Sequence, residues 1–206
     1  MPVLVDSHTH IDMRAYNADR DQVLERARMA GVAALVDVGC DLDSSRAALE
    51  LAKRHTDVFA AVGFHPHDAA KMSDGDLEIL AALTQHPKVG AIGEIGLDFS
   101  RNLSPREVQI DAFKKQLALA QRIRLPVIVH CRDAQDEVLS ILTEWAHGVD
   151  EDAGASGVKK PLGVLHCFSG DRDISQRYIE MGFLLSIAGP ITYSPSHAAG
   201  IAHYIP

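Results

Sequence analysis

Cysteine is scarce in this chain: Cys40, Cys131 and Cys167 are the only three among 206 residues, with no CxxC pair and no even set. No disulfide framework is expected, and such usage suits reduced thiols in a cytosol. Long apolar runs are missing as well. No stretch of about 18 apolar residues is available to cross a bilayer, and the N-terminus lacks the charged segment and apolar core of a secretory signal. A soluble, unexported, cytoplasmic protein is expected, with no membrane association and no obligate protein partner. Basic residues are outnumbered, 20 Lys and Arg against 28 Asp and Glu, for a formal charge of -8 and a pI near 5.7. That balance argues against a protein that holds duplex nucleic acid on a broad basic surface. A phosphate substrate stays compatible with it, because a bound pair of divalent cations brings about four positive charges to the site itself. No Gly-rich phosphate fingerprint follows any apolar run, so a dinucleotide-binding fold has no support.

What the chain does have is a repeated local pattern. VLVDSHTH places His8 and His10 two residues apart directly after a short apolar run, and in an extended chain such residues point to the same side. Neutral imidazole is the commonest ligand for zinc, copper, iron and nickel. PVIVH then closes an apolar run with His130, LGVLH closes one with His166, and KVGAIGEIG does so with Glu94. Buried strands of a parallel sheet read as near-continuous apolar runs, and ligands gather where their carboxyl ends open. A single histidine at one strand end is ordinarily a satisfied structural residue, but four strand ends closing on ligand types point jointly to one site. Cys131 and Cys167, each just after one of these histidines, are read as packing residues.

With 47% hydrophobic and 23% charged residues, the chain fits one globular domain. Strands and helices alternate along it, the signature of a parallel sheet with right-handed crossovers. Asp19 is expected to cap the first helix and Gly31 to stop it; a helix from Asp43 ends near His55, a helix-terminal residue and not a ligand. Ser73 caps another, and Ser104, Pro105 and Glu107 read as a capping box with proline at the first helical position. Asp133 is expected to cap the helix carrying Val138, Ile141, Leu142 and Trp145. The polar stretch from Val149 to Pro161 reads as a surface loop, and FLLSIAG as the seventh strand.

In order along the chain, VDSHTHID, GFHPH, GEIGLDF, VIVHCRDA and GVLHCFSG resemble the successive strand-end motifs of the TatD family of metal-dependent deoxyribonucleases. The resemblance implies a TIM (β/α)8-type barrel with two divalent ions (magnesium, manganese or zinc) that hydrolyses phosphodiester bonds in DNA, acting on single strands or ends. By position, His8 and His10 would hold one metal, His130 and His166 the other, and Glu94 would bridge them as the catalytic carboxylate. His65 and Arg132 match positions near the substrate phosphate, Arg132 being equally placed for an ion pair with Asp133 or Asp136. Asp98 is read as a partner of a ligand histidine or as a helix-entry cap. In that family an aspartate ending the eighth strand completes the first metal site, whereas this sequence runs out at HYIP before such a strand. A barrel of this kind takes about 250 residues. The expectation is one hydrolase barrel domain over residues 1-206, truncated after the seventh strand. Two alternatives stay open: a metal-dependent ester or amide hydrolase, such as one acting on aminoacyl-tRNA, and an inactive truncated barrel that only binds metal.

Overall fold

The chain is described here by a computed structural model covering residues 3-149 and 160-192. Almost all of the expected polar loop, and the HYIP end, lie outside the described residues. Seven parallel strands follow one another in space as they do in sequence: β1 (Leu4–Thr9), β2 (Val32–Val38), β3 (Val58–Val62), β4 (Val89–Asp98), β5 (Val127–Arg132), β6 (Gly163–Leu165) and β7 (Phe183–Leu185). Helices α1 (Arg20–Met29), α2 (Leu42–Arg54), α3 (Asp74–Leu83), α4 (Arg106–Ile123), α5 (Gln135–Ala146) and α6 (Arg172–Glu180) lie in the crossovers. Each strand pairs only with its sequence neighbours among the described residues, and β1 meets the chain just past β7 where Ser7 Oγ stands 3.4 Å from Ser186 Oγ. The sheet is therefore curled, a barrel wall of seven strands.

The core lies between strands and helices. Apolar residues at helical spacing on α4 (Phe113, Leu117, Ala120) and α5 (Val138, Ile141, Leu142) are buried against Ile92, Ile95, Val127 and Val129 of the sheet. Burying a side chain of this size contributes about 1.5–3 kcal/mol. Trp145, expected in the core, is partly buried against it, and its indole N–H donates to the Leu117 carbonyl at 3.0 Å.

Several helix starts differ from expectation. Asp19 occupies the N-cap of α1 without a side-chain bond, whereas α2 starts one residue earlier than expected, with Asp41 accepting from the Ser44 N–H at 2.8 Å. Ser73 does cap α3, where the Asp76 carboxylate accepts from its backbone N–H at 2.7 Å. Ser104 does not cap α4. Its hydroxyl donates to the His67 carbonyl at 2.9 Å and accepts from the Ala70 N–H at 3.0 Å, and Pro105 is the N-cap. Two bonds from a buried serine to a distant segment outweigh one local cap. Asp133 does not cap α5 either; Ala134 holds the N-cap, and Asp133 is a left-handed turn residue at φ 52°.

The correction with most bearing on the site concerns Glu94, which is not a terminal residue of its strand: β4 runs four residues further, to Asp98. The β4–β5 register shifts between Ile92 and Ile95, and the Glu94 N–H bonds to the Gly39 carbonyl at 2.9 Å. Gly96, at φ 139°, faces the His130 carbonyl so closely that a Cβ would collide with it. Glycine is required there for β4 and β5 to approach.

Candidate metal centre

The carboxyl ends of five strands place their side chains around Glu94, whose side chain is only 3% exposed. Its two oxygens face different histidines. Oε2 is 3.3 Å from His8 Nε2 and 3.7 Å from His10 Nε2, while Oε1 is 2.8 Å from His130 Nδ1 and 2.7 Å from His166 Nε2. His8 and His10 bring their Nε2 atoms within 3.1 Å of each other, and the rings of His8 and His166 stack at 3.9 Å.

Hydrogen bonds behind the rings assign the tautomers. The Val38 carbonyl can only accept, so His10 donates from Nδ1 at 2.8 Å and leaves the lone pair of Nε2 toward Glu94. An Asp98 oxygen accepts from His130 Nε2 at 3.2 Å, which turns the His130 Nδ1 lone pair the same way. His65 is the reverse case: as N-cap of the 3₁₀ turn Pro66–Lys71 its Nδ1 accepts from the His67 N–H at 3.0 Å, so its proton sits on Nε2, 3.6 Å from Glu94 Oε1. Lone pairs of His10 and His130 thus converge on a carboxylate from opposite sides. Only cations satisfy that arrangement without extra protons, so the donor set fits divalent metal. Among the described residues three groupings could hold an ion, all sharing Glu94: with His8 and His166, with His10 and Cys40, and with His65 and His130. His8 Nδ1 is buried with no hydrogen-bond partner among the described residues.

The supports come from further off. Asp98 is fully buried and partners a histidine of the site, while its other oxygen closes a turn and not a helix entry: Oδ2 accepts from His67 Nε2 at 2.8 Å and from His130, and Oδ1 accepts from the N–H groups of Ser100 and Arg101 at 3.0 and 2.9 Å. Two buried glutamines on α4 act on strand ends as a paired strand would. Gln109 accepts from the Asp98 N–H at 2.8 Å and donates to its carbonyl at 3.2 Å; Gln116 accepts from the Phe64 N–H at 2.7 Å and donates to the Phe64 carbonyl at 3.1 Å. Asp37, also fully buried, accepts from the Ile11 N–H at 2.6 Å and the Thr9 hydroxyl at 3.2 Å, holding the chain on either side of His10. None of His67, Cys40, Asp37, Gln109 and Gln116 is singled out by the sequence pattern. GFHPH offers a signal for His67, but the others depend on contacts between distant segments.

Burial alone would raise the Glu94 carboxyl, yet the imidazoles of His130, His166 and His8 beside it hold it well below the usual carboxylate range. Burial lowers His8, and takes His65 down to about 3. Burial, reinforced by neighbouring Asp12, raises Asp37 to about 6. His65 gives a signed expectation. Its folded value lies below the ordinary 6.5, so the unfolded chain binds the proton more readily, and the stability that neutral His65 contributes is full above about 6.5 and lost as pH falls toward about 3. In metal-free protein, His65→Gln should flatten the pH dependence of the melting temperature across that window. An identical slope in the variant would contradict a buried neutral His65.

Arg132 ends β5 exposed at the rim, without an ion pair to Asp133 or Asp136. The three cysteines are unpaired.

Known proteins share this arrangement of strands. The chain is 38% identical over 191 residues to the uncharacterized metal-dependent hydrolase YabD of Bacillus subtilis, covering 93% of this chain and 71% of that protein. It is 37% identical over 186 residues to the 3'-5' ssDNA/RNA exonuclease TatD of Klebsiella pneumoniae, covering 90% of this chain and 66% of the other. The chain thus spans roughly two thirds of the length of these relatives. Among solved structures, the TatD homolog YjjV of Escherichia coli superposes with a TM-score of 0.80 at 33% identity, over 94% of this chain and 70% of that one. The TatD related DNase family model matches residues 5–206, and with these likenesses in sequence and fold the chain belongs to that family.

Proposed function

We propose that this chain is a single hydrolase barrel domain that cleaves phosphodiester bonds of DNA, working from single strands or frayed ends with two divalent ions. The observation that carries the reading is the division of Glu94: one oxygen toward His8 and His10, the other toward His130 and His166. His8 and His10 would hold one ion and His130 and His166 the second, with Glu94 offering one oxygen to each. Magnesium, manganese or zinc suits these imidazole and carboxylate donors. When bound, such a pair supplies an activated water and charge to stabilise the attacking and leaving oxygens of an in-line displacement. The residues of the chain do the rest. Asp98 fixes the His130 ring; His65, neutral and carrying its proton on Nε2, donates to a phosphate oxygen; Arg132 pairs with the next phosphate at the rim. The TatD exonuclease of Klebsiella pneumoniae supports the substrate class. Three unpaired cysteines fit a cytoplasmic enzyme.

The test is a rate comparison on labelled single-stranded DNA, blunt duplex, closed circles and an aminoacyl ester. Single strands should be cut fastest and without base specificity, since among the described residues no basic stripe holds a duplex. Fast cutting of circles overturns the end preference, and release from the ester alone overturns the nuclease reading. Separately, His130→Ala and His166→Ala should each lower metal content and rate together with little loss of helix content. Unchanged metal stoichiometry in both would remove them as ligands.

A further inference from the structure

His10, Glu94 and Cys40 each offer one donor atom, an imidazole nitrogen, a carboxylate oxygen and a thiol sulfur, all within 4.8 Å of one another. Cys40 follows β2, a strand that the two-metal reading above leaves without a ligand. Its backbone is fixed on both sides: its N–H donates to Ser44 Oγ at 2.8 Å, and its carbonyl accepts from the His65 N–H at 2.9 Å. The sulfur lies 4.0 Å from His10 Nδ1, the nitrogen that holds the Val38 carbonyl, so an ion shared with His10 is shared through Nε2. Bonds of about 2.0 Å to imidazole and about 2.3 Å to thiolate put two donors of one tetrahedral ion about 3.5 Å apart, so donors that lie within 4.8 Å of one another draw together by up to about 1.3 Å to hold it.

Coordination to a divalent ion would release the thiol proton to solvent and leave an anionic sulfur on the metal.

We propose that Cys40 is a sulfur ligand of the ion held by His8 and His10. It gives that half of the centre a preference for thiophilic ions such as zinc, cobalt and cadmium over magnesium and manganese. This rests on the two-metal reading, and the experiment separates the two. Titrating cobalt(II) into the full chain should produce visible d–d bands together with a near-ultraviolet sulfur-to-cobalt charge-transfer band. The sulfur band should vanish in Cys40→Ser and survive in a Cys131→Ser/Cys167→Ser double variant. Zinc affinity should fall on the order of tenfold or more in Cys40→Ser, at least the loss seen when a group that merely supports a ligand is removed, while manganese affinity holds. Cobalt d–d bands without the sulfur band in the unmodified chain, or a sulfur band that follows Cys167, overturn the role of Cys40 and leave the histidine–glutamate centre standing. Absence of any cobalt binding overturns both.

Discussion

Glu94→Gln should reduce the metal content from two ions per chain to one or none and slow DNA hydrolysis by about 10³-fold or more, the factor given by roughly 4 kcal/mol of lost transition-state stabilisation. Five imidazoles approach this one carboxylate, at 2.7 to 3.7 Å. Glutamine has nearly the same shape but one neutral acceptor oxygen, and its amide N–H groups would confront ring nitrogens or a cation. The negative charge disappears with little change in volume. Metal analysis and single-strand hydrolysis on the same preparation provide the check. A variant that retains two ions and the full rate removes Glu94 from the centre.

Gln116→Leu should cost about 3 kcal/mol of stability, because it strands both the N–H and the carbonyl of buried Phe64 without partners. For a domain of this size that is a fall of about 6–12 °C in melting temperature. Leucine is apolar and of suitable volume for a helix facing the core, so a purely hydrophobic account of α4 anticipates little change. Thermal melts of metal-free protein distinguish the two, and an unshifted transition would show that the glutamine bonds are replaced without cost.

The parallel sheet was readable from the sequence because each buried strand is a short apolar run, and the clustered histidines because they close those runs. His8, His10, His130 and His166 stand together as expected. Glu94 was readable as a residue but not as a position: nothing local indicates that β4 continues past it to Asp98, since the continuation depends on Gly96 fitting against the His130 carbonyl. Ser104, Pro105 and Glu107 matched a capping pattern, and tertiary partners claimed Ser104 instead. Asp98 met the reading as a histidine partner but caps a turn in place of a helix entry, because α4 begins only after Pro105. The supporting groups on α4 and at Cys40 have no local signature, since they are defined by which distant backbone or ring they meet.

The α4 glutamines also bear on how the molecule opens. Gln116 holds the end of β3 just before His65, and Gln109 holds Asp98 at the end of β4, so one helix clasps two strand ends that share no turn of chain. Helix α4 cannot lift away while either end stays in place. Amide protons of Phe64 and Asp98 therefore exchange with solvent as members of one cooperative unit, at one opening free energy, although one belongs to the chain after β3 and the other to β4. In such a unit Asp98, which accepts from His130 Nε2, and the backbone that positions His65 are gained or lost together, so these two supports of the surroundings of Glu94 form in a single step.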